Sequence, residues 1–557
     1  MEIVKKAAAI VLCVALALSM AACGSSGKVE NDADVPGTES GQGQAEVDVT
    51  FPLKEPVKLS VFIPQGSDVC DIPENIVFQE LQKASNIEFD LHIVPSVDAG
   101  EKLNMLLASG EYPEVIMGST LSNQDLERYG VDERILIPLN DLIEKYCPNI
   151  KQRLEENPNW KDEMKSSDGN IYGIPSVDSG GVGHVNSPYK MWINQEWLDK
   201  LGLKMPTTTE DYKDVLRAFK VNDPNGNGIA DEIPLSGAIN SWFSEPYIFL
   251  FNAFGHFTPD YYYLKDGKVH SILDQDYIRD GLRYMNELYE EGLIDPAAFT
   301  QDYAQLNAVG NNAGIEILGS AAGGHVGLFI DINNEERYRK YAMMLPLEGP
   351  GGYRSIPYAK SVSVSGATFV ITDACKHPEV AIQIADLFSS EEWAIRGQLG
   401  VQGIEWDYAD EGTFGMDGVT PAKYKILPHD KPSQVKNAWW WTYRGMEPNW
   451  KVLIQTDSDI MDPANFESRL YADTTKLLPF AADVDTMPPL IYSGEDSTNF
   501  TQLSTAIGDY AKIAIVEFII GKRDIEKDWD TYLADLKRLN YQDMIQLIQK
   551  TYDAKYK

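Results

Sequence analysis

The sequence predicts an α/β protein built on an open parallel sheet with helices on its faces, and three observations predict it. Strand-like and helix-like patterns alternate from position 57 onward: 58–64 reads as a strand, 76–84 has helical spacing, and 87–94 alternates as a strand does. A second helix over 99–107 leads to a strand at 114–117, and this β-α-β-α-β order implies parallel strands joined by right-handed crossovers. A hydrophobic share of 43%, with 10% aromatic residues, is that of a globular chain and not a disordered one. The length of 557 residues exceeds what one core fills, so two to four domains are expected. In open parallel sheets ligands approach loops at the carboxyl ends of strands, which makes Gln65, Ser67, Asp68, Gly118 and Ser119 candidates. The same residue types are also ordinary turn formers.

The first fifty residues predict targeting and tethering. Lys5 and Lys6 precede an apolar run over 7–18, too short to span a bilayer as a mature helix. Met20, Ala21, Ala22, Cys23 and Gly24 then resemble a bacterial lipobox. Cleavage before Cys23 leaves its thiol to carry diacylglycerol and gives an outward-facing protein held to the membrane by acyl chains. The other reading is an ordinary cleaved signal with a spare cysteine. Positions 1–22 are thus expected to be a lipoprotein signal peptide, and 23–50, rich in Gly, Ser, Asp and Glu, a flexible tether. The net charge of −36 argues against a nucleic-acid partner and against adhesion to anionic headgroups. Beyond Cys13 and Cys23 only Cys70, Cys147 and Cys375 remain, without zinc spacing, so at most one disulfide is expected.

Further along, 137–146 reads as an amphipathic helix behind a proline start, and 168–175 as a turn with a short buried strand. The glycine-bearing stretch 177–187 is either a hinge or pocket-edge loop or a surface connector. Trp192, Leu198 and Leu201 look like core on a helix, and Thr207 with Glu210 makes a capping box. Tyr212, Val215, Leu216 and Phe219 then repeat at i, i+3, i+4, i+7, an apolar helix face. A hairpin turn is expected at 265–269, a long helix over 276–293 and a strand at 326–330. From 501 to the end the pattern is mostly helical.

The helix ending near Phe219 runs into a stretch whose chemistry is unusually specific. Oxygen-bearing side chains recur at Asp223, Asn225, Asn227 and Asp231, followed by Glu232, while Gly226 and Gly228 permit the positive φ of a tight loop. With the carbonyl of Ile229 they supply about six or seven hard oxygen ligands, which suits Ca²⁺ better than Mg²⁺. The spacing resembles the first nine positions of an EF-hand loop and then departs from it, because Pro234 stands at the twelfth position. A calcium loop closed by Asp231 and Glu232 is expected, pinning a helix end; the bland alternative is a solvated Asn-Gly turn.

The stretch 191–219 before this loop and 233–237 after it resemble the large calcium-containing extracellular solute-binding proteins (family 1) of bacterial ABC importers of oligosaccharides. The stretches 137–146, 168–175, 291–296 and 346–352 share that resemblance. It implies a bilobed periplasmic-binding-protein-like fold (type II): two open sheets flanked by helices, with a hinge and a helical C-terminal part. The first lobe is expected over 51–176 and 318–375, and the second over 177–317 and 376–557. It also implies that Asp223, Asn225, Asn227, Ile229, Asp231 and Glu232 hold a structural Ca²⁺ away from the sugar. The partners implied are an oligosaccharide, the permease subunits of an importer and the membrane through Cys23, with the chain acting as a monomer.

A carbohydrate site needs flat apolar surfaces for pyranose faces and polar groups for hydroxyls. Trp242, Trp406, Trp440 and Tyr443 are the stacking candidates, although a strand over 439–441 must turn one or two tryptophans into core. Arg354, Arg396 and Arg444 are candidates to clamp a carboxylated sugar, or else to make surface ion pairs. The ligand-binding set is therefore Gln65, Ser67, Trp242, Arg354, Trp406, Trp440, Tyr443 and Arg444. No metalloprotease, nucleophile-elbow or phosphate-loop motif is present, so no catalytic residue is expected. The expected function is capture and delivery of an oligosaccharide. The alternatives are a ligand-sensing lipoprotein coupled to a membrane receptor and, further off, a glycoside-active enzyme with two facing carboxylates.

Overall fold

Val61, Phe62 and Ile63 follow one another fully buried. Three consecutive buried side chains on one strand require cover on both faces of its sheet. The computed structural model meets that requirement. It describes residues 49–66, 70–178, 187–239, 241–357, 364–427, 437, 443–456, 459–492 and 494–557. Cys23 with the signal and tether, Ser67, Asp68, the glycine-bearing loop 179–186 and Trp440 with its two tryptophan neighbours lie outside the described residues.

Seven strands make the two larger sheets among the described residues: β1 Val57–Gln65, β2 Ile87–Pro95, β3 Val115–Leu121, β4 Met191–Asn194, β5 Ser320–Ala322, β6 Tyr341–Met343 and β7 Ala367–Ile371. The first lobe carries the order β7-β3-β1-β2, with β1 parallel to β2 and β3 and β7 antiparallel to β3. The predicted parallel order thus holds for the first three strands, and a late segment closes the sheet in the opposite direction. Val61 and Ile63 pack into one core and Phe62 into the other, so the sheet is covered on both faces. The helix Ile76–Ser85 links β1 to β2, opened by Asn75 accepting from Phe78 N–H at 3.1 Å and closed by Asn86 at φ 58°.

The second lobe is built on the antiparallel order β5-β4-β6. Trp192 and Ile193 are fully buried on opposite faces of β4. One core gathers Tyr212, Leu216 and Phe219 of the helix Thr209–Val221 with Leu282 and Met285 of Asp276–Glu290, Phe518 of Gly494–Ile519, and Tyr532 of Trp529–Arg538. The apolar face read from the sequence is therefore the one that is buried. The expected hairpin forms between Tyr262–Lys265 and Lys268–Ser271, where Asp266 at φ 50° and Gly267 at φ 68° make the turn that suits strand twist.

The packing moves two expected boundaries. The segment 318–343 stays in the second lobe, because β5 and β6 both pair with β4. Val380, Ile384, Phe388, Trp393 and Met446 sit in the first-lobe core, so the chain leaves that lobe only after the 440s and not at 376. Three local readings also shift. The capping box is Thr208 with Asp211, one residue later than expected, each accepting the other's backbone N–H at 3.1 Å. Trp192 lies on a strand and not a helix, and Val326–Leu328 is a 3₁₀ turn and not a strand. Cys70, Cys147 and Cys375 are all free thiols. Among the described residues no helix is long and apolar enough to cross a membrane.

Candidate binding site and metal loop

Beside the first-lobe core, Val177–Asp178 pairs in parallel with Met446–Glu447. This narrow two-stranded joint carries Arg444, whose Nε donates to Ser176 Oγ at 3.2 Å. Gln65 ends β1, and its amide is used locally: Oε1 accepts from Ile72 N–H at 3.0 Å and Nε2 donates to the Cys70 carbonyl at 3.2 Å. Both halves of that amide hold the turn after β1. Ser119, at the end of β3, is buried, and Gly118 beside it takes φ 82°.

The second lobe presents a partly exposed aromatic wall at the end of its sheet. Beyond β5 the chain passes through Gly323 and Gly324 to His325. Gly324 N–H donates to the Trp242 carbonyl at 3.2 Å, and the Trp242 ring packs against the glycine. A Cβ at 324 would run into Cε3 and Cζ3 of that ring, so only glycine admits this approach. Trp242 meets Phe243 at 4.9 Å and His325 at 5.3 Å between centroids, and His325 meets Phe466 edge-on at 5.2 Å. Phe243, Phe466 and His325 were not read from the sequence.

The other expected aromatic contacts are placed differently. Trp406 is 2% exposed, donates its indole N–H to the Gly400 carbonyl at 2.9 Å, and packs with Tyr424, Trp450 and Ile454. Tyr443 is equally buried, between Phe369 and Phe388. Both rings are core. Arg354 donates to the Thr207 carbonyl at 2.9 Å, lies over the Phe480 ring at 5.3 Å and stands 3.9 Å from Glu348. Arg396 binds Glu80 at 2.5 Å and Glu392 at 2.9 Å. Two of the three candidate clamps thus already face carboxylates of the protein.

The loop after Thr209–Val221 folds around its own carboxylates. Asp223, at φ 47°, accepts the N–H groups of Gly226, Asn227 and Gly228 at 2.9–3.0 Å. Asn225 and Asn227 donate their amides to Asp231 at 3.0 and 3.1 Å. Gly226 and Gly228 take φ 76° and 75°, as the sequence reading required. The Ile229 side chain is 61% exposed, and its carbonyl accepts from Asp231 N–H at 2.9 Å. Glu232 Oε1 is buried without a hydrogen-bond partner. Burial first, then the charges of Asp223 and Asp231, raises the Glu232 carboxyl above the usual carboxylate range. Three carboxylates that repel one another around an orphaned oxygen form a donor set that a hard cation would relieve. Among the described residues no group of three or more His, Cys, Asp or Glu is placed to hold a metal ion.

Comparison with known proteins follows this geometry. Residues 72–395 match the family model of the bacterial extracellular solute-binding protein. The chain is 30% identical over 565 aligned residues to the fructooligosaccharide ABC transporter substrate-binding protein FusA of Streptococcus pneumoniae serotype 4, covering 98% of this chain and 97% of that one. The solved structure of S. pneumoniae FusA in complex with kestose superposes with a TM-score of 0.71 at 28% identity, over 89% of this chain and 99% of the other. A FusA EF-hand mutant in complex with fructo-nystose gives 0.72 at 26% identity, again over 89% and 99%. Lipoprotein LipO of Bacillus subtilis is 26% identical over 60% of this chain and 64% of its own. With a family model matched over more than half its length and an end-to-end relative at 30% identity, the chain belongs to the bacterial extracellular solute-binding proteins.

Proposed function

We propose that this chain captures a short, uncharged, fructose-containing oligosaccharide between its two lobes and delivers it to the permease of an ABC importer. As a member of a binding-protein family it catalyses no reaction. Ligand free energy instead biases an open–closed equilibrium about the joint of Val177–Asp178 and Met446–Glu447. The observation that carries the reading is the match along 98% of the chain to a relative named for fructooligosaccharides. An uncharged ligand is supported by Arg354 and Arg396, which already face Glu348, Glu80 and Glu392. Trp242 is the stacking surface, with Trp440, Ser67 and Arg444 as further contacts; the Gln65 amide is taken up by the turn after β1.

Asp223, Asn225, Asn227, Asp231, Glu232 and the Ile229 carbonyl hold a structural Ca²⁺. The ion neutralises the three carboxylates and ties the end of Thr209–Val221 to the chain that pairs Ile233 with Leu318. The complex of a FusA EF-hand mutant with fructo-nystose supports keeping metal and sugar as separate sites. Cys23 carries the lipid, and the protein works as a monomer on the outer face of the membrane.

The test is a thermal-shift and calorimetric comparison of the soluble form starting after Cys23, with calcium present, against kestose, nystose and oligomers of uronic acids. A rise of several degrees with the fructose series alone is expected, because a ligand that prefers the native state stabilises it. Silence with every fructose oligomer, or stabilisation by uronates only, overturns the reading.

A further inference from the structure

The wall around Trp242 has unsatisfied polar chemistry behind it. Lys190, directly before β4, is fully buried, and its ammonium donates to the Ser187 carbonyl at 2.5 Å. Its own carbonyl accepts from Gly323 N–H at 3.1 Å, which fixes it beside the Gly323–His325 turn. Ser187 is 1% exposed and its Oγ has no hydrogen-bond partner; the Nδ1 of His325 is likewise buried and unpartnered. Asp473, on the helix Phe466–Leu477, lies near enough to act on the Lys190 charge. Buried polar atoms without partners are costly, at roughly 1–3 kcal/mol each, and they persist where something else completes them. Here the Ser187 carbonyl holds the Lys190 amine and His325 lies near enough to feel its charge, while the aromatic rings Trp242, Phe243 and Phe466 remain partly exposed.

We propose that this cluster is a polar subsite for one uncharged glycosyl unit, in which His325 Nδ1 and Ser187 Oγ bond adjacent hydroxyls of a ring stacked on Trp242, with the buried Lys190 amine held by the Ser187 carbonyl beneath. It rests on the sugar-binding reading above and adds to it the residues that read the sugar. Burial and the Lys190 charge drive the His325 imidazole down to about 4, so at neutral pH it is uncharged and offers one donor and one acceptor. That inventory matches a hydroxyl, which also both donates and accepts. A hydroxyl pairs with Nδ1 in either tautomer, whereas a carboxylate, which only accepts, pairs with it only when Nδ1 carries the proton.

The test is calorimetric titration of nystose into the wild-type soluble form and into His325→Leu and Ser187→Ala, with the melting temperature of each unliganded protein recorded in parallel. The expected result is a roughly 10-fold weakening for His325→Leu and a roughly 5-fold weakening for Ser187→Ala. The unliganded melting temperatures should be unchanged or raised. Wild-type affinity in both variants overturns the subsite and leaves the sugar-binding reading standing. Failure of the wild type to bind any oligosaccharide overturns that reading and the subsite with it. If His325→Leu does not fold, Ser187→Ala decides alone, since it removes one oxygen from a position where nothing in the protein bonds it.

Discussion

Two polar regions of the second lobe solve the same problem in opposite ways. The loop from Asp223 to Glu232 satisfies nearly all of its polar atoms internally, with Asp223 alone accepting three backbone N–H groups. The wall around Trp242 hides polar atoms behind aromatic rings and leaves Ser187 Oγ and His325 Nδ1 without partners. The loop's one orphan, Glu232 Oε1, sits beside two other carboxylates, a spherical anionic arrangement. The wall's orphans sit beside the buried Lys190 amine and two aromatic rings, a directional arrangement. A small hard ion fits the first and a hydroxylated ring the second. If the proposed sites are right, the contrast assigns one region to stability and the other to recognition.

Acid and chelator should separate the two, and acid has the larger effect. His256, packed against Tyr263, and His325 are both driven by burial from 6.5 to about 4. A base with a lowered native value leaves the unfolded chain binding more protons between about pH 4 and 6.5, so stability falls as pH drops through that window. The displacement is worth about 3 kcal/mol per histidine. Urea unfolding at pH 7, 5.5 and 4.5 checks it, and His256→Gln should remove about half of the loss. A stability that is flat down to pH 4.5 would contradict the burial of both rings.

Chelation comes next. Calcium at a hundredfold excess over its dissociation constant adds about 2.7 kcal/mol by linkage, so EDTA should lower the melting temperature by several degrees and Ca²⁺ restore it. Asp223→Ala should abolish that response while changing nystose affinity less than about twofold, as separate metal and sugar sites require. A melting temperature indifferent to EDTA would remove the calcium from the loop. Trp242→Ala should do the reverse, weakening nystose about 30-fold, near 2 kcal/mol of lost apolar contact, with the calcium response intact.

The same contrast explains what the sequence made legible. All donors of the loop lie within ten consecutive residues, and the buried face of Thr209–Val221 repeats within one helix, so spacing alone found both. The capping box was displaced by one because three threonines stand in a row and local pattern does not choose among them. The wall joins 187–190, 242, 325 and 466–473, four segments whose meeting is set by packing, and no local signal announces it. Lobe boundaries failed for a related reason. β5 and β6 are three residues each, too short to show a period, whereas 326–330 is apolar enough to pass for a strand. Trp406 and Tyr443 could be identified as aromatic but not as core, since both environments favour the same side chain.

The smallest expected effect bears on ligand charge. Arg396 is 19% exposed at its side chain, bonds Glu80 and Glu392, and stands 5.7 Å from the Trp393 ring centroid. Pairs at such exposure contribute up to about 1 kcal/mol, screened by salt. Arg396→Gln should therefore lower stability by less than about 1 kcal/mol and leave nystose affinity within twofold of wild type. Were the arginine a clamp for an acidic sugar, its loss would instead cost at least tenfold in uronate binding, because a bidentate charged contact is worth more than a surface pair. Arg354→Gln sharpens the test. Its guanidinium donates to the Thr207 carbonyl, which precedes the cap of Thr209–Val221, so a small stability loss without any change in sugar affinity assigns it to the lobe and not to the ligand. A tenfold loss of uronate binding in either variant would reverse the charge assignment and move recognition away from the neutral imidazole and hydroxyl behind Trp242.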